Sequence, residues 1–86
     1  MRARAIQVYV RQKFAGRRRK GDRRGFGFVA DDLKAAKKEL GQWRAVDVAL
    51  EGTPSFVKAE FWDRDAWLAA VRSGQTVPAP LLVIEA

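Results

Sequence analysis

The sequence predicts a single small α+β domain, an antiparallel or mixed sheet with two helices in the order β-β-α-β-β-α-β. Three observations carry that prediction. Short runs alternate apolar and polar residues, as half-buried strands require. Two stretches with helical apolar spacing each start after an aspartate and stop at a glycine. Of 86 residues, 48% are apolar and 31% charged, the composition of a folded chain. The length suits one domain, 1–86, with a modest core.

The elements follow in order. Residues 4–14, RAIQVYVRQKF, put Ile6, Val8 and Val10 on one face and Gln7, Tyr9, Arg11 and Lys13 on the other. This is a strand whose polar face is basic with one aromatic ring. Residues 15–25, AGRRRKGDRRG, have three glycines and no apolar anchor, and predict a basic hairpin loop. Residues 25–30, GFGFVA, form a second strand, with Phe26 and Phe28 on one face and Gly27 and Val29 on the other. Asp31 and Asp32 open a helix over 32–40 with Leu33, Ala36, Lys37 and Leu40 along one face, and Gly41 is its stop signal. Residues 43–50, WRAVDVAL, alternate and predict a strand with Val46, Val48 and Leu50 inward. EGTPS, 51–55, is a turn, and FVKAEFW, 56–62, a further strand. Asp63 caps a helix over 64–73 that Gly74 ends, and Pro78 and Pro80 precede a last strand, 81–85.

An internal repeat supports this division. At an offset of 33 residues, Phe28 matches Phe61, Asp32 matches Asp65, Ala36 matches Ala69, Gly41 matches Gly74 and Gln42 matches Gln75. Two β-α-β halves point to a ferredoxin-like β-α-β-β-α-β core, residues 26–86, preceded by the extra basic strand and arm of residues 1–25. Two hairpin-then-helix units plus an edge strand use the same elements. A ferredoxin-like sheet pairs its first strand on both sides, so the extra strand must join an edge, alter the strand order or pair with a second copy. A homodimer is therefore a possible partner arrangement.

Charge is the most uneven property of the chain. The net charge is +7. Residues 1–25 carry ten basic groups against Asp22 alone and sum to +9, which leaves residues 26–86 at −2. Cations this dense repel one another and call for a negative partner, of which phosphate is the obvious class. The candidate nucleic-acid contacts are Arg11, Lys13, Arg17, Arg18, Arg19, Lys20, Arg23 and Arg24, with Tyr9 extending the footprint along the strand. Trp62, on the polar-looking side of its strand, is a further candidate for stacking on a base.

The stretch from Arg24 to Asp31, RGFGFVAD, resembles the ribonucleoprotein octapeptide of the RNA-recognition-motif family. Seven of its eight positions agree, and the eighth is Asp31 where that pattern has an aromatic. The resemblance implies that Phe26 and Phe28 stack on bases and that Arg24 meets a phosphate. It covers about a tenth of the chain. In that family the octapeptide lies on a third strand, after a helix, and none precedes it here. The alternative for both phenylalanines is burial in the core.

Other chemistry is poorly provided for. Cysteine and histidine are both absent, which removes disulfides, thiolate metal sites and the commonest general base. Asp31–Asp32 and Asp63–Asp65 follow strands and could hold magnesium for a metal-dependent nuclease, but each pair also sits where a helix needs its cap. The expectation is a binding protein with no catalytic residues, metal or cofactor. No apolar run reaches membrane-spanning length and the N-terminal stretch lacks a secretory pattern, so no membrane partner and a cytoplasmic location are expected. Two functions fit: a small nucleic-acid-binding module, RNA or single-stranded DNA favoured, or a phage-type effector that docks on an acidic surface of a nucleic-acid-processing enzyme.

Overall fold

The structure is a computed structural model that describes residues 5–13, 23–52 and 55–86. The described residues form a small α+β protein of four antiparallel strands and two helices. The elements are β1 (Ile6–Lys13), β2 (Arg23–Ala30), α1 (Leu33–Glu51), β3 (Phe56–Asp63), α2 (Arg64–Ser73) and β4 (Leu82–Glu85). The strands lie in the order β2-β1-β3-β4, and every neighbouring pair is antiparallel.

Alternation in β1 sets the two faces of the sheet. Ile6, Val8 and Val10 point to one side and are buried. Residues directly opposed across a ladder share a face, so the register carries that side outward to Ala30, Phe28 and Phe26 of β2 and to Phe61 and Ala59 of β3. Leu82 and Ile84 of β4 continue it. Helix α1 covers this face with Leu33, Ala36, Leu40 and Trp43, and Phe56 completes the core.

The second face carries Gln7, Tyr9 and Arg11, then Trp62, Glu60 and Lys58 across from them. Gln7 and Trp62 are buried. The apolar residues of α2 take no part in the α1 core, while α2 contacts β3 and β1. The Trp62 indole N–H donates to the Pro78 carbonyl at 2.8 Å. These contacts lay α2 and the connection after it over one end of the second face and leave the Arg11 end open.

The ferredoxin-like order is not the order found, which is β-β-α-β-α-β. Residues 43–50 are not a strand but the second half of α1. The apolar stripe explains this, for Leu33, Ala36, Leu40 and Trp43 are spaced by three and four and all face the core. Asp47, four residues further on, is buried and accepts hydrogen bonds from the Ser55 amide at 2.8 Å and the Ser55 hydroxyl at 2.5 Å. The alternating residues expected inward, Val46, Val48 and Leu50, are instead exposed by 53%, 45% and 79%. Gly41 lies within the helix. The stop is Gly52, with φ 78°, whose N–H bonds the Val48 carbonyl.

The extra basic strand resolves the topological difficulty by occupying the centre. β1 pairs with β2 on one side and β3 on the other, so the 26–86 segment builds around it. The repeat has a structural counterpart. Phe28 and Phe61 both oppose Val8, one from each side. The caps do not follow the repeat: Asp32 caps α1 by accepting from the Ala35 amide at 2.7 Å, but α2 is capped by Asp63, accepting from the Ala66 amide at 3.1 Å, while Asp65, the repeat partner of Asp32, lies in the first turn of α2. The helix stops do not match, because only Gly74 of the Gly41–Gly74 pair ends a helix. No helix among the described residues is long and apolar enough to cross a membrane.

Candidate nucleic-acid interface

The basic residues gather through strand register. At the loop end of the hairpin, Lys13 opposes Arg23, Gln12 opposes Arg24 and Arg11 opposes Gly25. On the other side of β1, Arg11 opposes Lys58. Basic positions from three strands therefore share one end of the sheet, and this end leads into the arm. Arg17, Arg18, Arg19 and Lys20, the densest part of the predicted contact set, lie outside the described residues.

Tyr9 and Arg11 lie side by side on the second face. The Arg11 guanidinium carbon is 5.3 Å from the centre of the Tyr9 ring, within cation–π range. Arg11 Nε is 3.7 Å from Glu60 Oε1, and the two side chains are 48% and 17% exposed. An ion pair this open contributes little to stability and leaves the guanidinium accessible.

β2 makes the adjoining surface unusually flat. Gly25 and Gly27 are exposed on the second face. The Tyr9 ring lies over Gly25, where any β-carbon would overlap its hydroxyl end. An aromatic ring laid across an edge glycine shields backbone that would otherwise be bare. In the octapeptide resemblance, glycines before and between the aromatic rings keep a stacking surface open. Here Gly25 and Gly27 are the floor beside Tyr9, because the β1–β2 register sets them opposite Arg11 and Tyr9.

Phe26 and Phe28 face the other way, which corrects the role suggested by the octapeptide. Both pack against the core beneath α1. Their ring centres are 6.4 Å apart, Phe26 lies 5.2 Å from Trp43, and Trp43 lies 6.2 Å from Phe56. Half-buried rings on the helix side of the sheet are not the open stacking face that the octapeptide implies. The cause is the poorer apolar alternative on β2: Gly25 and Gly27 bury no side chain, which leaves Val29 alone on their face, 45% exposed, while the two phenylalanines meet the helix. Trp62 is corrected likewise. It is 8% exposed, and its single N–H is spent on Pro78.

Lys58 and Glu60 were absent from the expected contact set, though the alternation of residues 56–62 put them on the polar side. Asp32 and Asp63 act as helix caps, and among the described residues no group of three or more acidic, histidine or cysteine side chains could hold a metal. The open end of the second face thus offers a tyrosine ring, a guanidinium, an ammonium and a glycine-floored strand. Such a surface can bind an anionic, planar ligand. No protein-family model matches the chain, and no curated protein and no solved structure matches it.

Proposed function

We propose that this chain is a small basic nucleic-acid-binding protein that acts by binding rather than catalysis. One observation carries the reading: residues 1–25 sum to +9, and hairpin register sets four of their basic positions, Arg11, Lys13, Arg23 and Arg24, at one end of the sheet. The Arg-rich arm contacts phosphates and releases counterions, a term that carries no sequence information. Tyr9 offers the stacking surface for an unpaired base beside Arg11, which favours RNA or single-stranded DNA and an intracellular site of action.

The test is a fluorescence anisotropy titration with single-stranded RNA, single-stranded DNA and duplex DNA at three salt concentrations. The wild type is expected to bind with a steep salt slope. Replacing Arg17, Arg18, Arg19 and Lys20 with Gln removes four cations and should flatten the slope on single strands by about 3. Tyr9→Ala should weaken single-strand binding more than duplex binding, at roughly 1–3 kcal/mol per stacked base. No binding to any of the three at low salt overturns the proposal and redirects the basic end toward an acidic protein surface.

A further inference from the structure

The sheet has two edges, and they are protected very differently. β4 is four residues long and follows Pro78 and Pro80, so it offers little backbone to a stranger. β2 is eight residues long, has no proline, and pairs with β1 from Lys13↔Arg23 to Ile6↔Ala30 without a bulge. Among the described residues nothing pairs with its outer side. A long regular edge is the kind of template that recruits another strand.

Its sequence shows which strand. β2 and its continuation read RRGFGFVADD, with two positive charges at one end and two negative charges at the other. Laid antiparallel against itself, the basic start of each copy meets the acidic end of the other. The acids are not equivalent. Asp32 is committed to capping α1 through the Ala35 amide, whereas Asp31 is exposed and takes no hydrogen bond or ion pair among the described residues. Capping therefore leaves Asp31 unexplained.

Geometry narrows the register. A twofold axis through an antiparallel pair of identical strands stands perpendicular to the sheet and keeps α1 of both copies on the same side. Only registers centred on a residue then oppose core-face to core-face positions. Centred on Gly27, Arg23 falls opposite Asp31 of the second copy, Gly25 opposite Val29, and Phe26 opposite Phe28. Centring on Phe28 would set Arg24 against the already engaged Asp32, and centring on Phe26 would set Arg23 against Val29. The Gly27 register also gives Val29, 45% exposed, an apolar neighbour in the Tyr9 ring that covers the facing Gly25.

We propose that β2 is a homodimer edge, two copies pairing antiparallel about Gly27 to join their sheets into one. The interaction is independent of nucleic acid. It sets the two basic arms at opposite ends of the joined strands.

The experiment is sedimentation equilibrium on the full chain, nuclease-treated at high salt and checked for absence of absorbance from nucleic acid. The wild type is expected to approach twice its 9.7 kDa mass as concentration rises. Asp31→Arg places like charges opposite each other twice in the dimer and should raise the dissociation constant by roughly tenfold or more. Combining it with Arg23→Asp should restore dimerisation. Circular dichroism of both variants verifies folding, and a second edge variant, Val29→Lys, should weaken association with no change in secondary structure. A monomer at every accessible concentration overturns the proposal, and so does a dimer that ignores the Asp31–Arg23 exchange.

Discussion

At the scale of single residues, the most informative contact is the Tyr9 ring over Gly25. It makes a sharp claim about why position 25 is glycine, since the backbone there is ordinary and the constraint is a neighbour's ring. Gly25→Ala should destabilise by about 1 kcal/mol, because the ring must swing off β2. In a Tyr9→Ala background the same change should cost nothing, since alanine suits a strand at least as well as glycine. Denaturant unfolding of the four proteins measures the coupling, and additive effects would remove the ring from Gly25. Asp47 supports a second residue-scale prediction. Its buried carboxylate holds both the amide and hydroxyl of Ser55, and Gln12 Nε2 reaches the same hydroxyl at 3.3 Å. Asp47→Ala leaves those donors without their acceptor and should cost about 1–3 kcal/mol, with Ser55→Ala costing less because the amide bond survives.

At the scale of elements, α1 separates what the sequence displayed from what it concealed. Strands β1, β2 and β3 and helix α2 were legible because their alternation or spacing agreed with their caps. The region from Gly41 to Leu50 offered two valid patterns at once. Val46, Val48 and Leu50 alternate like a strand, while Leu33, Ala36, Leu40, Trp43 and Asp47 step like a helix. The second pattern wins because its residues reach the core and Ser55, and local alternation cannot reveal that. Gly41 tests the outcome directly. It is an exposed mid-helix residue with open space at its missing β-carbon, so Gly41→Ala should stabilise by roughly 0.5–1 kcal/mol. Gly52 and Gly74 also have open space but hold φ of 78° and 71°, so alanine at either should destabilise. Opposite signs at Gly41 and Gly52 in thermal melts mark which glycine ends the helix. The candidate site was legible only in part for a related reason. Charge density names the arm without any fold, but which face of β2 meets α1 depends on the extent of a helix that local alternation conceals.

At the scale of the whole molecule, charge and topology act together. The inner strand β1 also leads into the basic arm, so the core is built on a strand contiguous with the most cationic stretch of the sequence. The body contributes −2 and cannot neutralise it. Sulfate or phosphate at fixed ionic strength should therefore raise the melting temperature more than chloride does, and the gain should shrink when Arg17, Arg18, Arg19 and Lys20 are replaced by Gln. An equal response in the two proteins would place the anion effect elsewhere.

The opposition of Lys13 and Arg23 at the mouth of the hairpin also bears on the order of events in folding. β1–β2 is the most local pairing in the sheet, whereas β1–β3 joins residues such as Ile6 and Asp63 that are far apart in the chain. Local contacts ordinarily close first. Here the local closure has to drive like charges together before any core has formed to hold them. Refolding should thus be slow in dilute buffer and accelerate with salt or a short polyanion, with little change in the unfolding rate. Stopped-flow tryptophan fluorescence reads both, and a salt effect confined to slower unfolding would put the hairpin late instead. On the proposed function, a nucleic acid met by the nascent chain is a template for its first turn before it is a ligand of the finished sheet.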